Sequence, residues 1–408
     1  MPTTSAAPAT GARPADYLAQ VCGLLWPSPA SAVLSGRSGR GRAASRLLVL
    51  PSAQAPRLIL PAGRRAGSAA VGRYGEPGSA RAKLAARALA GALAAGLGPA
   101  LGGRLVITAP EGADTIETYL AELIGHRVEL SMHVGAARAN RKPVLQLLTK
   151  DGTTVGFAKV GVNPLTSALV KAEQAALARL AGASLTRLRL PEVLAAGHWN
   201  GLDVLVLRPL PVWLRRTPLT SDRLAAALAE LSRAVGTTTA PLTASDYWGR
   251  LRDRLGRVDP GDEKSLLGGL LDELAERAGD TALVYGCWHG DLTPWNLAST
   301  RDGLLVWDWE RFAAPAPLGF DALHHQLQAK VADQRADPLG AASGAVEASP
   351  SLLRPFEAPP AQARLTALLY LAELSVRYLA DRQAEAGARL GAPGTWLLPA
   401  LQAGVDQL

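Results

Sequence analysis

Cysteine is scarce in this chain, and long apolar runs are missing. Only two of the 408 residues are cysteines, Cys22 and Cys287, which cannot build a disulfide framework or a cysteine zinc site. No apolar stretch reaches the roughly 18–20 residues that a membrane-spanning helix needs. The first residues also lack the basic start and apolar run of a signal peptide. We therefore expect a cytoplasmic protein with no membrane partner.

The charge balance is basic, but it carries no sign of nucleic-acid binding. The net charge is +8 and the isoelectric point is about 9.8. One cluster, formed by Arg37, Arg40, Arg42 and Arg46, lies in a stretch rich in Gly and Ser, which is typical of a solvated segment. No nucleic-acid motif and no interleaving of aromatic and basic residues is present. We expect no nucleic-acid partner.

The order of the patterns predicts an α+β protein in three parts. The length suggests two or three packed units. Residues 1–125 have mixed patterns, including a hairpin from Leu47–Leu50 and Leu58–Leu60 and a helix capped by Asp114 with Glu117. Residues 126–211 predict an antiparallel sheet with one helix, and 212–408 are mainly helical. A strand is expected at Leu304–Trp309, and residues 332–362, rich in Ala, Pro, Gly and Ser, are predicted as a flexible loop.

One stretch of the helical part carries most of the chemistry. The sequence His289-Gly290-Asp291 is followed by Asn296 and then by Asp308-Trp309-Glu310. Phosphoryl transfer needs one carboxylate at the acceptor hydroxyl, and a second carboxylate and an amide oxygen for Mg²⁺. The spacing from Asp291 to Asn296 is that of a kinase catalytic loop.

These motifs resemble the aminoglycoside phosphotransferase and choline kinase family, which has a two-lobed protein-kinase-like fold. The resemblance implies that Asp291 is the catalytic base, that His289 braces its loop, and that Asn296 and Asp308 hold Mg²⁺. In Pro317-Leu318-Gly319-Phe320-Asp321 it implies that Asp321 caps the next helix. It also implies that residues 126–211 form the N-lobe and 212–408 the C-lobe, with 1–125 as an added unit, for which a cap on the N-lobe is one interpretation.

A second group of candidate residues lies upstream. Lys159 is one of only seven lysines and alternates with Val155 and Phe157 on a predicted strand. Glu173 follows on a buried helical stripe, where a carboxylate needs a partner. Kinases use such a pair on the nucleotide phosphates, although a structural ion pair stays open.

Other residues near these motifs have two open interpretations. Arg138 and Arg141, in a loop with a single glycine, are candidates for phosphate contacts or for an exposed basic loop. Glu310 is open between a metal or acceptor role and a surface role, and His324 and His325 are expected to be structural.

The function expected from these motifs is a magnesium-dependent small-molecule kinase. It would transfer the γ-phosphate of ATP (or GTP) to a hydroxyl of an amino sugar, an aminoglycoside-like compound or a choline-like compound. A protein kinase and a catalytically silent nucleotide-binding scaffold of the same fold are the alternatives. The sequence does not identify the acceptor.

Overall fold

A computed structural model of the protein describes residues 13–35, 45–72, 80–332 and 336–408. Arg37, Arg40 and Arg42 of the basic cluster lie outside these residues. The described chain forms fifteen strands and twelve α-helices. The strands are β1 (Ser31–Ser35), β2 (Ser45–Pro51), β3 (Pro56–Pro61), β4 (Gly103–Thr108), β5 (Glu129–His133), β6 (Val144–Leu148), β7 (Thr154–Gly161), β8 (Leu188–Arg189), β9 (Val193–Trp199), β10 (Leu202–Leu207), β11 (Thr238–Pro241), β12 (Ala282–Trp288), β13 (Leu297–Thr300), β14 (Gly303–Val306) and β15 (Ala313–Pro317). The helices are α1 (Pro14–Leu25), α2 (Arg64–Val71), α3 (Ala80–Ala94), α4 (Ile116–Ile124), α5 (Pro164–Leu180), α6 (Ser221–Ser232), α7 (Asp246–Gly256), α8 (Asp262–Ala278), α9 (Phe320–Val331), α10 (Pro338–Leu352), α11 (Pro360–Ala380) and α12 (Leu397–Val405).

The chain divides into two compact units. The first consists of Met1–Lys171 and Glu192–Pro209, and the second of Ala172–Pro191 and Leu210–Leu408. The division falls within α5, so the last nine residues of this helix belong to the second unit.

The first unit is built on a nine-stranded antiparallel sheet with the order β1-β4-β2-β3-β5-β6-β7-β10-β9. The predicted hairpin is present, with Leu48 opposite Leu60. Alternate residues of β2 enter opposite cores: Val49 packs with α1 and α4, whereas Leu48 packs with α2 and α3. The predicted N-terminal part therefore contributes four strands to the same sheet.

The start of α4 differs from the prediction. Thr115, and not Asp114, is the N-cap, and it exchanges hydrogen bonds with Thr118 in the capping box. Asp114 instead accepts a hydrogen bond of 2.7 Å from Trp199 Nε1, and Glu117 accepts one of 2.6 Å from Trp26 Nε1. The prediction was wrong because distant indole donors bind both carboxylates.

The second unit is mainly helical and contains two small sheets, with the orders β11-β12-β15 and β13-β14-β8. Helix α11 is buried along nearly its whole length, so it forms the centre of this unit's core. An antiparallel sheet in one unit and helices in the other confirm the predicted α+β class. Within the described residues, no helix combines the length and the apolar character needed to cross a membrane.

Two local predictions in the second unit are wrong. Residues 332–362 contain the helix α10, which begins at Asp337 as N-cap with Pro338 in the first turn, a favourable start signal. Alanine-rich composition favours a helix, and packing against α11 buries one face of it. The strand predicted at Leu304–Trp309 ends at Val306, since a short 3₁₀ turn follows at Trp309–Arg311.

Candidate active site

The loop between β12 and β13 is held in a tight bend by groups from later helices. Gly290 has a φ of +83°, and a Cβ at this position would lie 2.1 Å from the carbonyl oxygen of Arg311. Asp321 accepts hydrogen bonds from the backbone N–H groups of His289 and Gly290, at 2.7 and 3.1 Å. Arg377 donates to the carbonyl oxygen of Gly290 at 2.6 Å. The bend therefore needs glycine, and two distant side chains, Asp321 and Arg377, hold it in place.

The family resemblance implied that Asp321 caps α9, but the structure shows that it does not. It lies in the first turn of the helix, whose N-cap is Gly319, and its carboxylate oxygens bind the loop instead. Burial raises the pKa of Asp321 to about 7, against the two backbone hydrogen bonds and the charge of Arg377. The residue connects α9 to the loop.

The carboxylate of Asp291 is oriented by two side-chain donors. Asn296 Nδ2 donates to Oδ2 at 2.9 Å, and His324 Nε2 lies 3.2 Å from Oδ1. Burial is the largest single influence and favours the neutral acid, but the hydrogen bond from His324 and the further electrostatic interactions with His324 and His289 together hold the pKa of Asp291 below its usual value. One third of the side chain is exposed (33%). The structure thus presents an ionised, oriented carboxylate that a second molecule can reach.

His289 lies under this loop as a neutral brace. Its Nδ1 accepts a hydrogen bond of 3.1 Å from the backbone N–H of Asp291. The proton of the neutral ring must then be on Nε2, which lies 3.1 Å from the carbonyl oxygen of Trp307. Burial lowers the pKa of His289 to about 4. Both ring nitrogens are used within the loop region, which fits the predicted bracing role better than proton transfer.

His324 is a contact of Asp291 that sequence reasoning undervalued. Its Nδ1 lies 3.0 Å from the hydroxyl of Tyr370, and burial lowers its pKa. In the neutral ring, Nε2–H donates to Asp291 and Nδ1 accepts from Tyr370. The available signal was spacing: Asp321 and His324 are three residues apart, and so lie on one face of a helix.

Three acidic residues lie close together, two of them in the turn after β14 and one on α5. Oxygen atoms of Glu173, Asp308 and Glu310 all lie within 4.8 Å of one another. The backbone N–H of Trp309 donates to Glu173 at 3.2 Å. Asp308 has a φ of +74°, a strained conformation that is often found at functional sites. Asn296 donates to Asp291 through Nδ2, and its predicted role as a metal ligand through the amide oxygen stays a prediction.

The donor set fits Mg²⁺, which prefers carboxylate and amide oxygens. All of these oxygens come from the second unit. The acidic group includes Glu310, whose side chain is buried. The sequence had left a surface role for this residue open.

The remaining predicted residues lie in the first unit. Lys159 is buried in β7, between β6 and β10. Arg138 is exposed, whereas Arg141 is buried with its guanidinium 3.7 Å from the centre of the Tyr17 ring. Glu173 belongs to the second unit. The pairing of Lys159 with Glu173 and the phosphate contacts of both arginines stay predictions.

Comparisons with known proteins give structural matches only. No protein-family model and no curated protein matches the chain. A thermostable mutant of aminoglycoside phosphotransferase APH(4)-Ia, solved with ADP and hygromycin B, is similar with 16% identity and a TM-score of 0.46, over 71% of this chain and 98% of that one.

Two further solved structures are similar at the same level. An amicoumacin kinase in complex with AMP-PNP and Ca²⁺ has 13% identity and a TM-score of 0.43, over 71% of this chain and 92% of that one. A choline kinase from Streptococcus pneumoniae has 15% identity and a TM-score of 0.42, over 65% and 90%. Aminoglycoside phosphotransferases and choline kinases are also the proteins that the sequence motifs resemble.

Proposed function

We propose that this protein is a magnesium-dependent small-molecule kinase, which transfers the γ-phosphoryl group of ATP (or GTP) to a hydroxyl of a small acceptor. The observation that carries the proposal is the carboxylate of Asp291. It is ionised, partly exposed, and held by Asn296 and His324. An oxygen-rich group suited to a divalent cation belongs to the same unit.

Asp291 would act on the acceptor. Its carboxylate accepts a hydrogen bond from the acceptor hydroxyl and orients the oxygen towards the γ-phosphorus. As the new P–O bond forms, the bond to the bridging oxygen breaks and ADP leaves with that electron pair. The hydroxyl proton passes to Asp291. A fixed carboxylate helps mainly by positioning, because the transferred group reacts through a loose transition state.

Asp308 and Asn296 would hold the magnesium ion, with Glu173 and Glu310 beside them. The bound ion would supply positive charge against the phosphate oxygens. A cation held between the three carboxylates would offset their mutual repulsion.

The other assignments rest on the sequence. Lys159, Glu173, Arg138 and Arg141 are proposed for nucleotide binding, and the N-terminal residues 1–125 as a cap. A cytoplasmic location and the absence of a nucleic-acid partner stay predictions.

The proposal is tested by incubating the purified protein with radiolabelled ATP, MgCl₂ and each member of a panel of sugars, amino alcohols and aminoglycosides. We expect label on one class of small molecule. Asp291→Asn should abolish transfer and keep nucleotide binding, because the amide has the same shape without the basic oxygen. Asp302→Asn is the matched control, since Asp302 is exposed in the turn between β13 and β14.

Three results would contradict the proposal. Full transfer by the Asp291→Asn variant would remove Asp291 from the chemistry. Label on protein in place of small molecules would favour a protein kinase. Tight nucleotide binding without transfer to any acceptor would favour a silent scaffold.

A further inference from the structure

One cavity of the helical unit has no part in the proposed chemistry. Its volume is about 410 Å³, within the usual range of small-molecule sites. The end of α5, helix α7, strand β15 and helix α11 surround it. None of Asp291, Asn296 and Asp308 lines it. The residues that matter for the inference are Arg179, Arg250, Arg254, Glu373, Trp288 and Phe312.

The lining has more positive than negative charge. Arg254 forms an ion pair of 2.6 Å with Glu373, so these two charges compensate each other. Arg250 donates to the carbonyl oxygens of residues 314 and 315, at 2.7 and 2.6 Å, which are neutral partners. Burial lowers the pKa of Arg250, the negative charges of Asp246 and Glu373 act to raise it, and the positive charges of Arg254 and Arg179 act to lower it.

Arg179 is the least satisfied cation of this cavity. In the part of the chain that the structure describes, its side chain forms no hydrogen bond and no ion pair, and its guanidinium lies 6.0 Å from the centre of the Phe312 ring. A guanidinium offers five donors suited to carboxylate or phosphate oxygens. An incoming anion would therefore meet donors at the rim that no acidic side chain occupies.

The inner wall of the cavity is apolar and aromatic. Trp288 and Tyr247 are almost completely buried, and Phe312 and several alanines complete the lining. Such a wall favours a flat apolar group, because its burial removes apolar surface from water. The cavity thus combines an apolar floor with two guanidinium groups that have no carboxylate partner among the described residues, Arg179 and Arg250, of which Arg250 is bonded to backbone carbonyl oxygens.

We propose that this cavity binds a small aromatic anion, whose carboxylate or phosphate group is held by Arg179 and Arg250 and whose ring lies against Trp288 and Phe312. This binding site goes beyond the kinase reaction and does not depend on it.

Trp288, which lines the cavity, contacts two residues that bind the loop of Asp291. Trp288 packs edge-on against His324, with ring centres 6.3 Å apart. Arg377 lies 5.0 Å from the Trp288 ring and donates to Gly290. A ligand against Trp288 would therefore rest on the residues that position the loop.

Isothermal titration calorimetry with phenylphosphonate tests the proposal, because this dianion has both the ring and the anionic group and cannot donate a phosphoryl group. Benzyl alcohol is the neutral comparison. We expect measurable binding of phenylphosphonate and at least about tenfold weaker binding by Arg179→Ala, as the loss of a hydrogen bond to a charged group predicts. Arg252→Ala is the matched control, since Arg252 lies on α7 outside this cavity and pairs with Asp272 at 2.7 Å.

A second variant tests whether the ligand needs the space of the cavity, and it leaves the charge of the lining unchanged. Ala175 lines the cavity from an exposed position on α5, so Ala175→Trp should fill it and abolish binding while the protein stays folded. Equal affinity of the wild type and Arg179→Ala would overturn the proposal. So would equal binding of benzyl alcohol, or no heat with phenylphosphonate at any concentration.

Discussion

Replacing His324 by leucine should slow phosphoryl transfer without removing the catalytic carboxylate. Leucine fits the buried position beside Trp288 and Tyr370. It cannot donate to Asp291, which then keeps Asn296 as its side-chain donor. The carboxylate becomes less well oriented, and the Tyr370 hydroxyl loses its partner.

The magnitude follows from the lost hydrogen bond. A bond to an ionised group contributes about 1.5–3 kcal/mol, and each 1.4 kcal/mol changes a rate about tenfold. We expect kcat to fall by about 10- to 100-fold. The unpaired Tyr370 hydroxyl should lower the free energy of unfolding by about 1–3 kcal/mol.

The pH profile separates positioning from simple damage. Because His324 holds the pKa of Asp291 down, its removal raises that pKa. The base works only when ionised, so activity should be lost at a higher pH as the solution is acidified. A merely structural role of His324 would lower activity without moving this acid limb.

The assay compares kcat, KM and the acid limb in three variants. Transfer is measured with the acceptor found in the labelling panel. Without an acceptor, the release of phosphate from ATP by hydrolysis is measured in its place. His324→Gln should recover much of the rate, because its amide nitrogen takes the place of Nε2. His325→Gln, which changes a neighbour that contacts the carbonyl oxygen of Leu292, should have little effect. Near-wild-type turnover of His324→Leu with an unmoved acid limb would refute the reasoning.

Three other changes test the loop and the acidic group. Asp308→Asn should remove most of the increase in melting temperature that MgCl₂ with ATP gives, because one metal ligand is lost while asparagine tolerates the positive φ. Thermal melting with and without EDTA measures this increase. An unchanged increase would contradict the metal assignment. Gly290→Ala should lower the free energy of unfolding in urea by at least about 1–2 kcal/mol, because of its φ of +83° and the clash with Arg311. The control Gly268→Ala, in a helix with open space around it, should be neutral or stabilising, and equal effects would contradict the argument. His289→Gln tests the buried neutral ring: the unfolded histidine has a pKa of 6.5 and the folded one about 4, so the stability advantage of the wild type should shrink by up to about 3 kcal/mol as pH falls from 6.5 to 4. A constant difference between the two proteins across this range would show that His289 is not buried in its neutral form.

Local patterns carried much of the fold and part of the site. Two short apolar runs, Leu47–Leu50 and Leu58–Leu60, separated by a turn that contains proline, marked β2 and β3. Asp291 and Asn296 are five residues apart in one loop, and their hydrogen bond of 2.9 Å is a contact that short spacing can imply. Helices with regular apolar spacing, such as α7 and α9, were likewise visible in the sequence.

The sequence by itself determined which residue types meet in the loop that follows β12, since they are close along the chain. Only the tertiary structure decided what fixes that loop. Asp321, His324 and Arg377 reach it from helices that lie about 30 to 90 residues later, and Tyr370 contacts His324. Contacts over such separations depend on how the helices pack, because no local propensity or periodicity specifies which faces meet.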